Sequence, residues 1–259
     1  MMIHALLRPL LSLIALWLRK AKTCLTARRT REDGSVVYVR SRRWRALWLV
    51  PAGNLLLRHA KVRVGFLPNA EWRAWELAVY QALGVANVTA DDRGRLILPS
   101  FPGSPLDKLL ESNVDTDLKR RAAIESLRKL RRAHQCRLTW PDGIERTFSH
   151  GDATVRNVIF EQVTRRAWWI DFESLHDSTL TDAARRADDI RAWLVSAVEC
   201  WPEVDALAQA VVEGYRDADV VAVLAEQLRC GRENLYHLAQ GRISPQQRAR
   251  FVELLSEKR

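Results

Sequence analysis

Two kinds of periodicity divide this chain, and their order limits the folds open to it. Short β-prone runs at residues 36–40, 45–50, 54–59 and 95–99 are separated by polar or Pro/Gly breaks, a pattern expected of antiparallel strands in a meander. One helix is expected among them at 69–83, with Pro68 just ahead and Gly84 just behind. A longer one follows at about 117–134, which would bury Leu118, Ala122, Ile124, Leu127 and Leu130 and turn Lys119, Arg120, Arg121, Arg128, Lys129, Arg131 and Arg132 to solvent. From residue 183 the spacing is helical to the end, at about 183–199, 203–216, 220–230 with a continuation to 240, and 245–257 behind a Ser244 N-cap. The Pro/Gly-rich link Ser100-Phe101-Pro102-Gly103-Ser104-Pro105-Leu106 places a boundary near residue 102. The expected class is α+β, with a small antiparallel-sheet lobe at 31–102 and a mainly helical lobe at 103–259.

Length and composition permit this. The 259 residues, 47% hydrophobic and 28% charged, suffice for two lobes with a sizeable core. Cys24, Cys136, Cys200 and Cys230 are far apart and lack the spacing of a zinc site or a disulfide framework, which favours a reducing compartment.

The net charge of +10 is unevenly placed. Residues 1–63 carry fourteen Lys/Arg against only Glu32 and Asp33, so the remainder is slightly acidic. Such asymmetry suggests an anionic surface, either nucleic acid phosphates or acidic lipid head groups. Ile3, Leu6, Leu7, Leu10, Leu11, Ile14, Trp17 and Leu18 recur at helical spacing, beside Arg19, Lys20, Lys22, Arg28 and Arg29. The apolar run is too short to span a bilayer, so residues 1–30 read as a basic amphipathic helix. Two roles stay open for it: lying in an anionic membrane interface through residues 1–29, or packing on the protein's own core. A lipid surface is preferred to nucleic acid as partner.

The chemistry-bearing residues lie near the middle. His150-Gly151-Asp152-Ala153-Thr154-Val155-Arg156-Asn157 runs into the apolar Val158-Ile159-Phe160, a polar turn, and then Ala167-Trp168-Trp169-Ile170 leading to Asp171-Phe172-Glu173. Two short strands would bring Asp152, Asn157 and Asp171 together. Phosphoryl transfer needs a carboxylate facing the acceptor hydroxyl and oxygen ligands for Mg²⁺, and this set can supply both. A bland alternative is that Asp152 and Asn157 cap turns while Asp171 merely ends a strand.

These motifs resemble the protein-kinase-like superfamily, whose catalytic loop reads H-x-D-x-x-x-x-N and whose metal motif is D-F-G or a variant. The H-G-D form with D-F-E is most similar to the atypical bacterial members, among them lipopolysaccharide core and Kdo kinases, aminoglycoside and choline phosphotransferases, and the small kinase of the KEOPS complex. The resemblance spans about residues 36–200. It implies a two-lobed protein-kinase-like fold, ATP and Mg²⁺ as cofactors, Asp152 as the group that orients or deprotonates the acceptor hydroxyl, and Asn157 and Asp171 as metal ligands. It further implies that His150 braces the loop and that Asp188 or Asp189 anchors it from the following helix.

The upstream half departs from the pattern. The family pairs a strand lysine with a helix glutamate to hold the α/β-phosphates. Glu76 fits the glutamate, with Glu71 as a weaker choice. The strand expected at 54–59 offers Arg58, and Lys61 serves only under another register. No G-x-G-x-x-G is present, and only residues 174–187 separate Asp171-Phe172-Glu173 from Asp188, too few for a phospho-regulated activation loop. The expected function is ATP-dependent phosphoryl transfer to a hydroxyl-bearing acceptor, with a membrane-associated glycolipid such as the lipopolysaccharide core first. A protein serine/threonine kinase and a pseudokinase acting as a nucleotide-binding scaffold are the alternatives. The expected location is cytoplasmic, peripheral on the inner membrane.

Overall fold

The computed structural model describes residues 23–59, 62–230 and 243–257. Strands β1 (Cys24–Thr30), β2 (Val36–Arg42), β4 (Thr89–Ala90) and β5 (Leu96–Pro99) form an antiparallel sheet in the order β1-β2-β5-β4. Val37 and Val39 of β2 are buried, and so is Arg40 at 5% exposure, an unusual place for an arginine without partners. Helix α2 (Asn69–Ala82) turns Trp72, Trp75, Glu76, Val79 and Tyr80 inward. Arg42 holds the chain just before it, donating to the Leu67 carbonyl at 2.5 Å and to Asn69 Oδ1 at 2.9 Å.

Two expectations about the first sixty residues need correction. The basic helix expected to reach residue 30 gives way by Cys24 to β1, whose seven residues pair in register with β2. As an edge strand it can leave Arg28 and Arg29 in solvent, where charge discourages further pairing. The amphipathic pattern at residues 3–18 lies outside the described residues. The runs at 45–50 and 54–59 are not strands but one helix, α1 (Ala46–His59). Ala46, Leu49, Val50, Gly53 and Leu57, at i, i+3, i+4, i+7 and i+11, make its buried face. Pro51 is tolerated inside it because the carbonyl it cannot serve belongs to Leu47, a residue 58% exposed, where water can donate instead.

The remaining elements build the helical part and the hairpin that crosses it. β9 (Val158–Glu161) and β10 (Arg166–Trp169) form the expected hairpin, extended by β6 (Ser104–Pro105) in the order β10-β9-β6. Gly103 permits this close approach: its φ is +112°, and a Cβ there would lie 2.2 Å from the Phe160 carbonyl oxygen. β11 (Ser174–His176) pairs antiparallel with β3 (Val64–Phe66), so the segment after Asp171 is fastened to the segment ahead of α2. A small hairpin, β7 (Arg137–Thr139) and β8 (Glu145–Thr147), precedes the loop at His150.

Helices α3 (Leu106–Glu111), α4 (Thr116–Ala133), α5 (Asp182–Cys200), α6 (Val204–Tyr215), α7 (Ala218–Arg229) and α8 (Pro245–Ser256) supply the rest. Thr181 and Asp217 cap α5 and α7 through side-chain oxygens, and Ser244 with Gln247 forms a reciprocal capping box on α8. α4 packs on α6 and β10, α5 on α7, and α8 on both α6 and α7. One apolar core joins Trp75, Tyr80 and Leu96 of the sheet side to Leu127, Trp193 and Leu224 of the helical side. The fold is α+β, a small antiparallel sheet with a helical part.

Candidate active site

The loop carrying Asp152 is held from below by a buried carboxylate. Asp189, on α5, accepts the backbone N–H of His150 with Oδ2 at 2.7 Å and that of Gly151 with Oδ1 at 2.8 Å. Its Oδ2 also meets His134 Nε2 at 2.9 Å, and His134 Nδ1 lies 2.6 Å from the Tyr215 hydroxyl. Because a carboxylate only accepts, His134 carries its proton on Nε2 and receives the tyrosine O–H on Nδ1, the neutral form that burial favours by lowering its pKa. Burial acts to raise the Asp189 pKa, but His176, His134 and His150 outweigh it and hold the carboxyl at about 2. The expected choice between Asp188 and Asp189 resolves to Asp189; Asp188 instead pairs with His176 and Arg191.

Gly151 must be glycine here. Its φ is +77°, and a Cβ would stand 3.0 Å from Ser174 Cβ and 3.1 Å from the Ser174 carbonyl carbon. His150 packs between Trp169 and Phe172, at centroid distances of 5.2 and 5.0 Å, and its Nε2 lies 3.1 Å from the Ile170 carbonyl oxygen. Burial lowers its pKa, so it is a neutral ring that donates to the strand end just before Asp171. That contact couples the Asp152 loop to the Asp171 turn.

Asn157 ends a short 3-10 turn, Val155–Asn157, and its amide Nδ2 donates to the Asp152 carbonyl at 2.8 Å and to Asp152 Oδ2 at 3.1 Å. Its own carbonyl accepts the Ile170 N–H at 2.9 Å. Asp152 and Asn157 are thus hydrogen-bonded to each other, and Asp171 follows directly on Ile170, close enough for its charge to act on Asp152. Asp152 is partly buried; loss of water first, and the charge of Asp171 second, push its carboxyl up to about 8 despite the Asn157 bond. Asp171 has a left-handed backbone, φ +70°, which aspartate bears better than most residues and which marks a locally strained site.

Arg40 joins this neighbourhood to the sheet. Its Nη1 donates to Glu76 Oε1 and its Nη2 to Asp171 Oδ1, with Glu173 Oε2 at 3.6 Å and the Trp72 ring centroid 5.7 Å from its guanidinium carbon. Burial pushes Glu76 up to about 7; Arg40 opposes that push, and Asp171 and Glu173 add to it. Burial likewise raises Glu173, helped by the charge of Asp171, while its Oε2 accepts the Cys24 S–H at 3.2 Å. Three carboxylates, Glu76, Asp171 and Glu173, around one buried guanidinium leave an excess of acidic groups, an environment that favours a further cation.

Of the residues expected upstream, Glu76 lies in this cluster. Arg58 is exposed in the last turn of α1, a helix rather than a strand, and the cation that meets Glu76 is Arg40. Lys61 lies outside the described residues. The strongest signal for Arg40 was its place at the end of the 36–40 run, the clearest β pattern ahead of Glu76. Two cavities, of about 580 and 540 Å³, lie beside α1 and β3; neither is lined by Asp152, Asn157 or Asp171.

Among the described residues no three His, Cys, Asp or Glu side chains gather as a metal site. The donor set nevertheless fits Mg²⁺: with Asn157 Nδ2 turned to Asp152, its Oδ1 makes no hydrogen bond among the described residues, and Asp171 keeps Oδ2 beside the oxygen given to Arg40. Mg²⁺ is commonly held by one or two protein oxygens, with water and phosphate completing the shell.

No protein-family model matches the chain, and no curated protein matches it. Among solved structures, an ethanolamine kinase from Plasmodium vivax is similar over 91% of this chain and 78% of its own, at 8% identity and a TM-score of 0.45. A likeness at that score assigns neither family nor residue roles.

Proposed function

We propose that this chain is a phosphotransferase that moves the γ-phosphoryl group of ATP to a hydroxyl acceptor with the help of Mg²⁺. The observation that supports it most is the joint placement of Asp152, hydrogen-bonded to Asn157, beside Asp171, which is paired through Arg40 to Glu76. Asp152 accepts the proton of the acceptor hydroxyl as its oxygen bonds to the γ-phosphorus and the bond to the bridging oxygen breaks, leaving ADP. Its raised proton affinity suits that task. Asn157 and Asp171 would hold Mg²⁺, which supplies positive charge against the phosphates. In this reading Arg40, kept in place by Glu76, offers its guanidinium to phosphate oxygens, and its fork differs from the point charge of a lysine. The kinase-like reading of the motifs agrees with these roles.

For the acceptor we favour a membrane-associated glycolipid, such as a lipopolysaccharide core at the cytoplasmic face; the basic first sixty-three residues support it. No helix among the described residues is long and apolar enough to cross a membrane, and a peripheral attachment fits the charge pattern better than a span. A protein hydroxyl comes second. A nucleotide-binding scaffold without turnover is favoured by one observation, that both Nη atoms of Arg40 are already engaged by carboxylates. Transfer from labelled ATP with Mg²⁺ across sugars, lipid extracts and proteins decides among them. Transfer that falls roughly 10²–10⁴-fold in Asp152→Ala supports the enzyme; nucleotide binding with transfer to no acceptor supports the scaffold.

A further inference from the structure

Helix α1 is apolar on both faces. Its inward face is the buried row from Ala46 to Leu57, while outward stand Leu47 at 58%, Trp48 at 72% and Leu55 at 66% exposure, preceded by Trp44 at 70%. At i, i+3, i+4 and i+11 these four lie along one stripe. A helix apolar all round belongs in a core or a lipid phase, yet this one lies at the surface with half its circumference uncovered. Beside the stripe a mainly apolar groove of about 580 Å³ runs along Val50 and Pro51 to Arg58.

Charge says what covers it. From Gly34 to Ala70 the sequence has no Asp or Glu, but it has Arg40, Arg42, Arg43, Arg45, Arg58, Lys61 and Arg63. Arg45 and Arg58 are exposed on the helix itself or at its start, and Arg45 rests 5.8 Å from the Trp44 ring. A second copy would set like charges against each other across this face. An anionic bilayer instead accepts tryptophan and leucine at the level of its head groups and pairs the arginines with phosphates.

We propose that the outward face of α1 docks on an anionic lipid bilayer, with Trp44, Leu47, Trp48 and Leu55 entering the interface and Arg45 and Arg58 meeting the head-group phosphates. The docking lies in the plane of the interface and spans nothing. It does not depend on the phosphotransferase reading, because none of these side chains belongs to the Asp152 site.

The test floats the full chain with vesicles of phosphatidylcholine alone and of phosphatidylcholine with phosphatidylglycerol. Flotation is expected with the anionic vesicles, weakened by salt, and roughly tenfold weaker for the double variant Trp44→Ala/Trp48→Ala, whose sites are too exposed to disturb the fold. A second readout is quenching of tryptophan fluorescence by brominated lipid. It should fall in Trp44→Phe/Trp48→Phe although that variant still floats. Equal flotation of the alanine variant, no flotation of the full chain, or unchanged quenching in the phenylalanine variant would each overturn the proposal. So would a dimer without vesicles that the alanine variant abolishes, because the stripe would then be shared between copies.

Discussion

Arg40 on β2 and Asp171 at the end of the hairpin form an ion pair that also carries Glu76, so a single guanidinium fastens the sheet, helix α2 and the candidate site together. Breaking such a buried group from one side strands the other charges. Arg40→Met is therefore expected to cost about 3–5 kcal/mol of stability, while Arg40→Met/Glu76→Leu costs less than Arg40→Met alone. Denaturant midpoints of the three proteins check this, and a double variant less stable than Arg40→Met would show that the pair is not the source of the loss.

Asp189 gives a second expectation. Removing it leaves the N–H groups of His150 and Gly151 and the Nε2–H of His134 buried without acceptors. At roughly 1–3 kcal/mol for each stranded donor, Asp189→Ala should lower stability by about 3 kcal/mol or more. Chemical denaturation measures the loss, and a change within about 0.5 kcal/mol, as at an ordinary surface site, would contradict it.

The same carboxylate sets an acid limit. Its folded pKa of about 2 lies below the ordinary value of about 3.9, so the unfolded chain binds the proton more tightly. The stabilisation, about 2–3 kcal/mol, is fully present above about pH 4–5 and is lost as pH falls towards 2. Unfolding followed from pH 6 downwards should show a steeper decline in the wild type than in Asp189→Asn; parallel curves would rule this out.

Gly151 tests the geometry of the loop. With φ at +77° and the Ser174 backbone against the missing Cβ, Gly151→Ala should cost about 1–3 kcal/mol and reduce transfer along with stability. An alanine variant of unchanged midpoint would mean that the loop can relax into a right-handed conformation.

How much of this the residues announce depends on whether the signal is local. Helices α2, α4, α5, α6 and α8 each fall within one or two residues of their expected bounds, α5 and α8 behind side-chain caps and α2 between Pro68 and Gly84. The β9–β10 hairpin is equally plain. α1 hid because its outward face is as apolar as its inward one, and Pro51-Ala52-Gly53 reads as a break although Pro51 lies within the helix. The pairing of β3 with β11 joins residues 64–66 to 174–176, a long-range contact for which three-residue runs carry no local pattern. In the site, spacing alone puts Asp152, Asn157 and Asp171 near one another. Arg40 is less visible because a 14-residue helix separates its strand from the helix of Glu76, so counting back from the glutamate lands on Arg58 instead.

The most direct test is calorimetric titration of ATP into the full chain, with Mg²⁺ and without it, for the wild type, Asp171→Asn and Asn157→Ala. Binding that needs Mg²⁺ and weakens roughly tenfold or more in both variants, the scale set by losing one ligand to the cation, is the expected result. ATP binding that ignores both Mg²⁺ and the two substitutions, or no binding at all, would contradict a nucleotide site at these residues.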